Sequence, residues 1–274
     1  MILVTGATGN VGAELVRALA EAEEPVRAMS RSGRAAGLPA GVEAVAGDLN
    51  RPETVRDALD GVRSLFLMPG YEGQREILAD ARAAGVEHVV LLSGKSAELD
   101  DDNAVTRYLR AAESEVRASG LSWTFVRPVS FMSNALALVD PIRKGDEVRV
   151  PFPRVRTADV DPYDIAQVTA HALRSSGHEG RVHTVTGPES LLPADRVRIL
   201  GKVLGRDLRT VGLTDEEART EMGAQLPAPY VDAFFRFFVD GVLDESEVLP
   251  TVQDITGQAP RTFEQWARTH ADAF

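Results

Sequence analysis

Short hydrophobic runs alternate with longer amphipathic stretches along the first two-thirds of the chain. The runs have the length and composition of buried β-strands and lie at residues 2–4, 26–29, 42–46, 64–67, 89–92 and 124–126. Between them, apolar residues recur at helical spacing, as in Val11, Leu15 and Leu19. Strands that alternate with helices pair in parallel through right-handed crossovers. The pattern therefore predicts an α/β fold built on a doubly wound parallel sheet.

Glycines and prolines mark where these elements end. Helices are predicted over residues 74–84, closed by Gly85, and over residues 105–119, stopped by Gly120. Beyond Pro128 prolines become frequent, and helical spacing returns at residues 194–204, 215–222, 230–242 and 262–271. We expect a larger body of residues 1–190, whose segments after residue 130 contribute to a cleft, and a smaller, mostly helical C-terminal lobe of residues 191–274.

Composition and charge narrow the classes of partner. Hydrophobic residues make up 44% and charged residues 26%, as in ordinary soluble globular proteins. The net charge of −11 repels phosphate backbones and anionic lipid, so we expect neither nucleic acid nor membrane as partner. The chain has no cysteine, which excludes disulfides, thiolate nucleophiles and cysteine-based metal sites and fits a reducing compartment. The N-terminal run lacks the layout of a signal peptide, and we predict a cytoplasmic protein.

A glycine-rich segment, TGATGNVG at residues 5–12, stands directly after the first strand and before the first helix. Gly6, Gly9 and Gly12 follow the spacing G-x-x-G-x-x-G, which permits a tight turn, close backbone approach to a pyrophosphate and close packing of helix on strand. The helix N-terminus adds free amides and a positive dipole end. The context predicts dinucleotide binding rather than an ordinary glycine-rich turn.

The end of the second strand indicates which dinucleotide is bound. NAD sites usually place an acidic residue about twenty positions past the glycines, but no carboxylate occurs between Glu24 and Glu43. Arg31 and Arg34, with neighbouring serine hydroxyls, could instead hold a 2′-phosphate through charge-assisted hydrogen bonds. A solvated basic loop is the alternative. We predict NADP(H) as the cofactor.

Two further strand ends lie along the expected path of the cofactor. Asp48 and Leu49 follow the third strand, where the carboxylate could reach the adenine amino group and the leucine could pack on the ring. The alternative is a helix cap nearby, for which Asn50 before Pro52 is the better candidate. Met68 ends the fourth strand.

Several segments together resemble a known family. They are TGATGNVG, Arg31, AGDLNRPETVRDALDGV, SGLSWTFVRPVSFMSN and DITGQAPRTFEQWA. They are similar to the NmrA-like group of atypical short-chain dehydrogenases/reductases, in particular to NADPH-dependent quinone oxidoreductases and triphenylmethane reductases. The resemblance spans nearly the whole chain, and it is specific in the glycine motif and the Arg-Pro segment but diffuse in the C-terminal lobe. It implies a Rossmann-type body, NADP(H), and a substrate cleft between body and lobe.

The resemblance also implies positions for individual residues. The pyrophosphate would lie on Gly6, Ala7, Thr8, Gly9, Asn10 and Val11. Arg31 would bind the 2′-phosphate and Asp48 would lie near adenine. Ser93, Pro128 and Phe131 would lie beside the nicotinamide, with Asn134 at the lip of the cleft.

The usual catalytic pair of a short-chain dehydrogenase is incomplete. That pair is Tyr-x-x-x-Lys on the helix after strand five, where the lysine cation lowers the tyrosine pKa. Tyr108 is the only tyrosine of this helix, and Ala112 stands where the lysine is required. Tyr108 could donate a hydrogen bond, or it could be a half-buried structural residue. Lys95, after strand five, could orient the ribose or donate to a substrate oxygen, or it could be a solvated loop residue.

Because the Tyr-Lys pair that would supply a base is incomplete, the sequence favours direct hydride transfer to an electron-poor acceptor such as a quinone, a cationic dye or an iminium ion. The aromatic segment YVDAFFRFFV at residues 230–239, with Tyr230 and Phe234, could line a pocket for a flat apolar substrate, alongside Phe131 and Asn134. A core or homodimer contact is the alternative. The function is predicted as an NADPH-dependent oxidoreductase. A non-catalytic NADP(H) sensor and a tailoring reductase or isomerase of secondary metabolism are the alternatives.

No metal site is expected. The five histidines of the chain show no metal-ligand spacing and no evident clustering.

Overall fold

The computed structural model describes residues 1–33 and 37–274. Within these residues the strands are β1 (Ile2–Val4), β2 (Val26–Ser30), β3 (Glu43–Ala46), β4 (Ser64–Leu67), β5 (His88–Leu92), β6 (Ser122–Pro128), β7 (Glu147–Val150), β8 (Arg181–Val185) and β9 (Arg209–Gly212). The α-helices are α1 (Asn10–Glu21), α2 (Gln74–Ala83), α3 (Ala104–Ala118), α4 (Val139–Lys144), α5 (Pro162–Arg174), α6 (Pro193–Leu204), α7 (Asp215–Gly223), α8 (Ala228–Phe238), α9 (Thr251–Thr256) and α10 (Phe263–Thr269).

The main sheet is parallel throughout and has the order β3-β2-β1-β4-β5-β6-β8. Strand β1 lies inside the sheet, next to the central strand β4, and Ile2 pairs with Val26 on one side and Ser64 on the other. The chain therefore winds outward from β1 in both directions, as predicted, and the Rossmann-type α/β fold is confirmed. The carboxyl ends of all these strands meet at one edge, which is where such sheets bind ligands.

Two hydrophobic clusters cover the two faces of the sheet. One joins α1 and α5 to β1, β4 and β6, and it includes Leu15, Phe66 and Ile165. The other lies under α2 and α3 and includes Ile77 and Phe125. Because both faces are covered, the central strands are hydrophobic on consecutive residues, which is why they were recognisable as short apolar runs.

A smaller cluster forms beside the carboxyl edge. It joins Val148 of β7 and Val197 of α6 to Phe263 and Trp266 of α10. Strands β7 and β9 pair in parallel as a separate two-stranded sheet. Residues before and after position 190 therefore share this cluster, and the described residues after position 190 contribute strand β9 as well as helices.

Among the described residues, no helix combines the length and hydrophobicity that a membrane span requires.

Three histidines that are far apart in the sequence come together at one edge of the sheet. His178 Nδ1 lies 3.0 Å from His183 Nε2, and Thr124 links the backbone of His178 to the ring of His88 through bonds of 2.7 and 2.9 Å. They meet because His88 starts β5 while His178 precedes β8, at the amino edge, opposite the ligand-binding edge. Within residues 1–33 and 37–274, no three His or acidic side chains form a metal-binding group.

Candidate active site

The glycine-rich turn has the geometry of a dinucleotide cradle. Gly6 has a φ of 62°, in the left-handed region that favours glycine. A Cβ on Gly12 would lie only 2.1 Å from the carbonyl oxygen of Gly6, so α1 approaches the turn more closely than any other residue would allow. Gly9 is the N-cap of α1 and provides no side-chain cap, and the first turn carries no acidic residue. The helix therefore presents uncapped amides and its positive end, which fit a pyrophosphate.

The remaining predicted members of this turn divide into two groups. Ala7 and Val11 are buried and anchor the turn in the core, and the Ala7 N–H donates to the Met29 carbonyl at 3.1 Å. Thr8 and Asn10 are exposed. Asn10 Nδ2 donates to Ser133 Oγ at 3.2 Å, which ties the glycine-rich turn to the segment after β6.

The predicted adenine and ribose contacts lie on the β1–β3 side of the sheet. Arg31 is exposed directly after β2, whereas Arg34 lies outside the described residues. The Asp48 carboxylate accepts the Asn50 N–H at 3.0 Å, so Asn50 is not the cap of the following helical turn. Leu49 is buried, 5% exposed, and belongs to the core cluster.

The end of β4 brings Met68 against the glycine-rich turn. A Cβ on Gly6 would lie 3.0 Å from Met68 Cγ, so these residues are in close contact. The loop continues past Gly70, which faces the ring of Tyr108 at 3.6 Å from the position of a Cβ. Burial, reinforced by the nearby Tyr230 phenol, raises the pKa of Tyr108 above its ordinary value. Tyr108 therefore stays protonated at neutral pH and is a hydrogen-bond donor rather than a base.

Ser93, at the end of β5, is committed to a buried ion pair. Its hydroxyl donates to Glu113 Oε1 at 2.7 Å. Glu113, 1% exposed, also binds the Arg127 guanidinium through bonds of 2.8 and 2.7 Å. A serine has a single O–H, so Ser93 has no hydrogen left to donate to a nicotinamide and can only accept there.

Lys95 is buried, which rules out the solvated-loop alternative. Its residue exposure is 9% and it begins the helical turn Lys95–Glu98 after β5. In the described part of the chain, no acceptor lies within hydrogen-bonding distance of its Nζ. The carboxylates of Asp244 and Glu245 act on it from farther away. An ammonium at the end of a largely buried side chain and without a fixed partner is free to bind a ligand.

Glu245 is a buried acidic residue at the same edge of the sheet as Lys95. Its backbone carbonyl accepts the Ala158 N–H at 2.7 Å, and its carboxylate faces the Ser130 amide. Burial, with the neighbouring Asp159 carboxylate, raises the pKa of Glu245 to about 7. The group therefore changes charge near neutral pH. The sequence carried no signal for it.

An apolar cavity of about 270 Å³ opens beside these residues. It is lined by Ser130, Asn134, Ala135, Ala137, Leu138, Val150, Pro151, Phe152, Val155, Thr157, Asp159, Pro193, Arg196, Val197 and Phe238. The lining from Ser130 to Leu138 follows directly on the end of β6 and contains the segment that Asn10 touches. The segment that supplies part of the cavity lining is therefore tied to the glycine-rich turn.

The structure brings only part of the predicted substrate site into this cavity. Asn134 lines it and donates to Ser130 Oγ at 3.1 Å. Pro128 ends β6 in the core, and Phe131 packs on the core cluster beside Val160. Tyr230 is exposed and Phe234 packs against other aromatic residues of α8, so neither is among the lining residues.

Phe152 and Phe238 supply the aromatic lining instead. Phe152 has a φ of 49°, a strained value for an aromatic residue, and its ring lies 5.2 Å from that of Phe238. Strain of this kind is often found at binding sites. The helix α8 thus contributes to the cavity through its last residue rather than through Phe234.

The fold and the cradle define a dinucleotide-binding protein of the Rossmann type. Residues 6–176 match the family described as NAD(P)H-binding, and the chain belongs to this family. It is 41% identical to a (4-alkanoyl-5-oxo-2,5-dihydrofuran-3-yl)methyl phosphate reductase of Streptomyces griseus, over 100% of this chain and 99% of the relative. It is 38% identical to an NAD(P)H azoreductase of Xenophilus azovorans, with the same coverage.

The fold is that of a solved triphenylmethane reductase. The structure of the Citrobacter sp. enzyme complexed with NADP(H) superposes with a TM-score of 0.79 at 23% identity, covering 98% of this chain and 99% of that one. The resemblance drawn from the motifs is confirmed. The protein is an NAD(P)H-dependent reductase, and the predictions of an oxidoreductase and of its nicotinamide cofactor are confirmed.

Proposed function

We propose that this reductase transfers hydride from NADPH to an apolar, conjugated, electron-poor acceptor of the quinone type. The observation that carries the proposal is the apolar cavity, whose lining is tied to the glycine-rich turn of a dinucleotide cradle that has no Tyr-Lys pair. An acceptor that is already electron-poor needs alignment and exclusion of water more than it needs a strong base. Bound NADPH supplies the hydride, and the protein supplies position and hydrogen bonds.

The cofactor would be held along the carboxyl edge of the sheet. The uncapped amides at the start of α1 bind its pyrophosphate, and Arg31 binds the 2′-phosphate and so favours NADPH over NADH. Asp48 reaches toward the adenine, while Met68 and Phe131 pack along the path of the cofactor. Ser93 accepts a hydrogen bond from the nicotinamide end, because its own proton is given to Glu113.

Lys95 is the proposed catalytic residue. When hydride adds to a conjugated carbonyl compound, negative charge develops on the carbonyl oxygen. Lys95 is largely buried at the strand edge, and among the described residues its ammonium has no fixed acceptor, so it can donate to that oxygen and then give up a proton. Tyr108 is protonated and serves as a second hydrogen-bond donor.

A conjugated lactone is a second candidate substrate. It is favoured by the 41% identity to a reductase whose name describes an acylated dihydrofuranone. Such a ring places a carbon–carbon double bond next to carbonyl groups, so it shares the electron-poor C=C–C=O unit with quinones. The azo group in the name of the second relative is also an electron-poor double bond.

The test is steady-state oxidation of NADPH and NADH, followed by absorbance, with a para-quinone, an acyl-substituted conjugated lactone, an azo dye and a cationic triarylmethane dye. We expect NADPH to be preferred and at least one conjugated carbonyl acceptor to be turned over. Tight NADPH binding without turnover of any acceptor would reject the proposed acceptors. That result would favour the alternative of a non-catalytic NADP(H) sensor.

A further inference from the structure

Besides the Ser130–Asn134 pair, the lining of the apolar cavity carries a charged polar cluster formed by Arg196, Asp159 and Thr157. Arg196 Nη1 donates to Thr157 Oγ1 and to Asp159 Oδ2, each at 2.6 Å. Thr157 Oγ1 in turn donates to Asp159 Oδ1 at 2.5 Å. All three residues line the cavity, whereas ten of the other lining residues are Ala, Val, Leu, Pro or Phe. The cluster therefore gives an apolar cavity a polar end.

Two of the three guanidinium nitrogens of Arg196 make no hydrogen bond to the described residues. Both bonds use Nη1, and among the described residues Nε and Nη2 have no acceptor. The Arg196 side chain is 19% exposed, so these N–H groups keep some contact with water inside a largely apolar lining. Donors in such a place gain from a ligand oxygen, because an unpaired polar group in an apolar environment costs free energy.

The charge of the cluster indicates which oxygen fits. Among the described residues that line the cavity, only Arg196 and Asp159 are charged, and they pair with each other, so this lining is neutral overall. An anionic ligand group would be attracted by the Arg196 guanidinium but repelled by the Asp159 carboxylate beside it. A neutral carbonyl oxygen accepts from Nε or Nη2 without that repulsion.

We infer that Arg196 is a carbonyl-binding subsite that selects acceptors carrying a second, neutral oxygen remote from the reacting position. The inference rests on the proposed function for its substrate class, which it narrows from electron-poor acceptors in general to those with a ketone, quinone or lactone oxygen. Asp159 and Thr157 hold the Arg196 guanidinium in place through their hydrogen bonds, and the Asp159 carboxylate balances its charge.

The test compares binding of 2-methyl-1,4-naphthoquinone with binding of 2-methylnaphthalene, which has nearly the same shape but no oxygen. Dissociation constants are measured by equilibrium dialysis on the protein saturated with NADP⁺. The variant is Arg196→Met combined with Asp159→Asn, so that no uncompensated carboxylate stays buried. Arg198→Met on the same helix is the matched control, because the Arg198 side chain is 69% exposed. Thermal unfolding establishes that each variant is folded.

A hydrogen bond from a charged donor predicts that the quinone dissociation constant rises about 10-fold or more in the double variant. The constant for 2-methylnaphthalene should change less than about 2-fold, and Arg198→Met should change neither. Equal weakening of both ligands, or no weakening, would overturn the inference, since a merely structural role affects the cavity for both. Arg196→Met alone gives a second test of the same selectivity. Because binding needs no turnover, failure of the proposed function would show separately, as absence of NADPH oxidation in the unaltered enzyme.

Discussion

The buried carboxyl of Glu245 makes stability depend on pH in a direction opposite to that of most acids. Burial and the Asp159 carboxylate raise its pKa from 4.5 to about 7. The folded protein therefore holds this proton more tightly than the unfolded chain does. The free energy of unfolding that depends on Glu245 is highest below about pH 4.5, and it falls until the pH exceeds about 7. A shift of this size corresponds to about 3 kcal/mol.

Replacement by glutamine removes the charge but keeps an oxygen for the Ser130 amide. Glu245→Gln should therefore gain stability over the wild type by about 2 kcal/mol more at about pH 8.5 than at about pH 5.5. Urea unfolding at the two pH values, followed by circular dichroism, measures this difference.

The neighbouring residue offers a control of opposite sign. Asp244 is exposed, and hydrogen bonds from Ser246 lower the pKa of its carboxyl. Asp244→Asn should cost a little stability above the range where Asp244 ionises, and any gain at high pH from relief of its weak repulsion of Glu245 should stay far below the gain of Glu245→Gln. If Glu245→Gln differed from the wild type by the same amount at both pH values, the buried ionisation of Glu245 would be refuted.

Three further substitutions test the cofactor and catalytic assignments. Arg31→Ala should weaken NADPH binding about 10- to 100-fold and NADH binding less than about 2-fold in fluorescence titrations, because only NADPH carries the 2′-phosphate; equal losses would remove that role. Gly12→Ala places a Cβ 2.1 Å from the Gly6 oxygen and should abolish measurable NADPH binding, whereas Gly223→Ala, which meets nothing within 4 Å, should bind normally. Lys95→Met should lower kcat about 100-fold with unchanged NADPH affinity, as expected on loss of a proton donor; an unchanged kcat would exclude Lys95 from the chemistry.

The sheet was predictable because its signals are local. The six predicted strands and the α1–α3 helices depend on short apolar runs, helical spacing and glycine stops, and the structure has them within a few residues. Strand β8, at the sheet edge, reads RVHTV with exposed positions and gives no such run. Strands β7 and β9 pair across some sixty intervening residues, so their partner is not visible in either segment.

The cavity was less predictable for a similar reason. Arg196 and Asp159 stand 37 positions apart, on α6 and on the loop before α5, and meet only through the packing of the smaller cluster. The dense aromatic residues of α8 led to the prediction of Tyr230 and Phe234 as substrate-binding residues, but it is Phe238 that lines the cavity. A count of aromatics does not show which helix face turns toward the body. The glycine cradle, by contrast, was readable because its function depends on consecutive residues.

Transfer of deuterium tests the central claim of direct hydride transfer most directly. The enzyme would reduce an acyl-substituted conjugated lactone with NADPH dideuterated at C4, in ordinary water, and the product would be analysed by mass spectrometry. Direct hydride transfer predicts one deuterium on the carbon β to the carbonyl, because deuterium in a C–D bond at that position does not exchange with water. A reduced product without deuterium at that carbon would contradict direct hydride transfer.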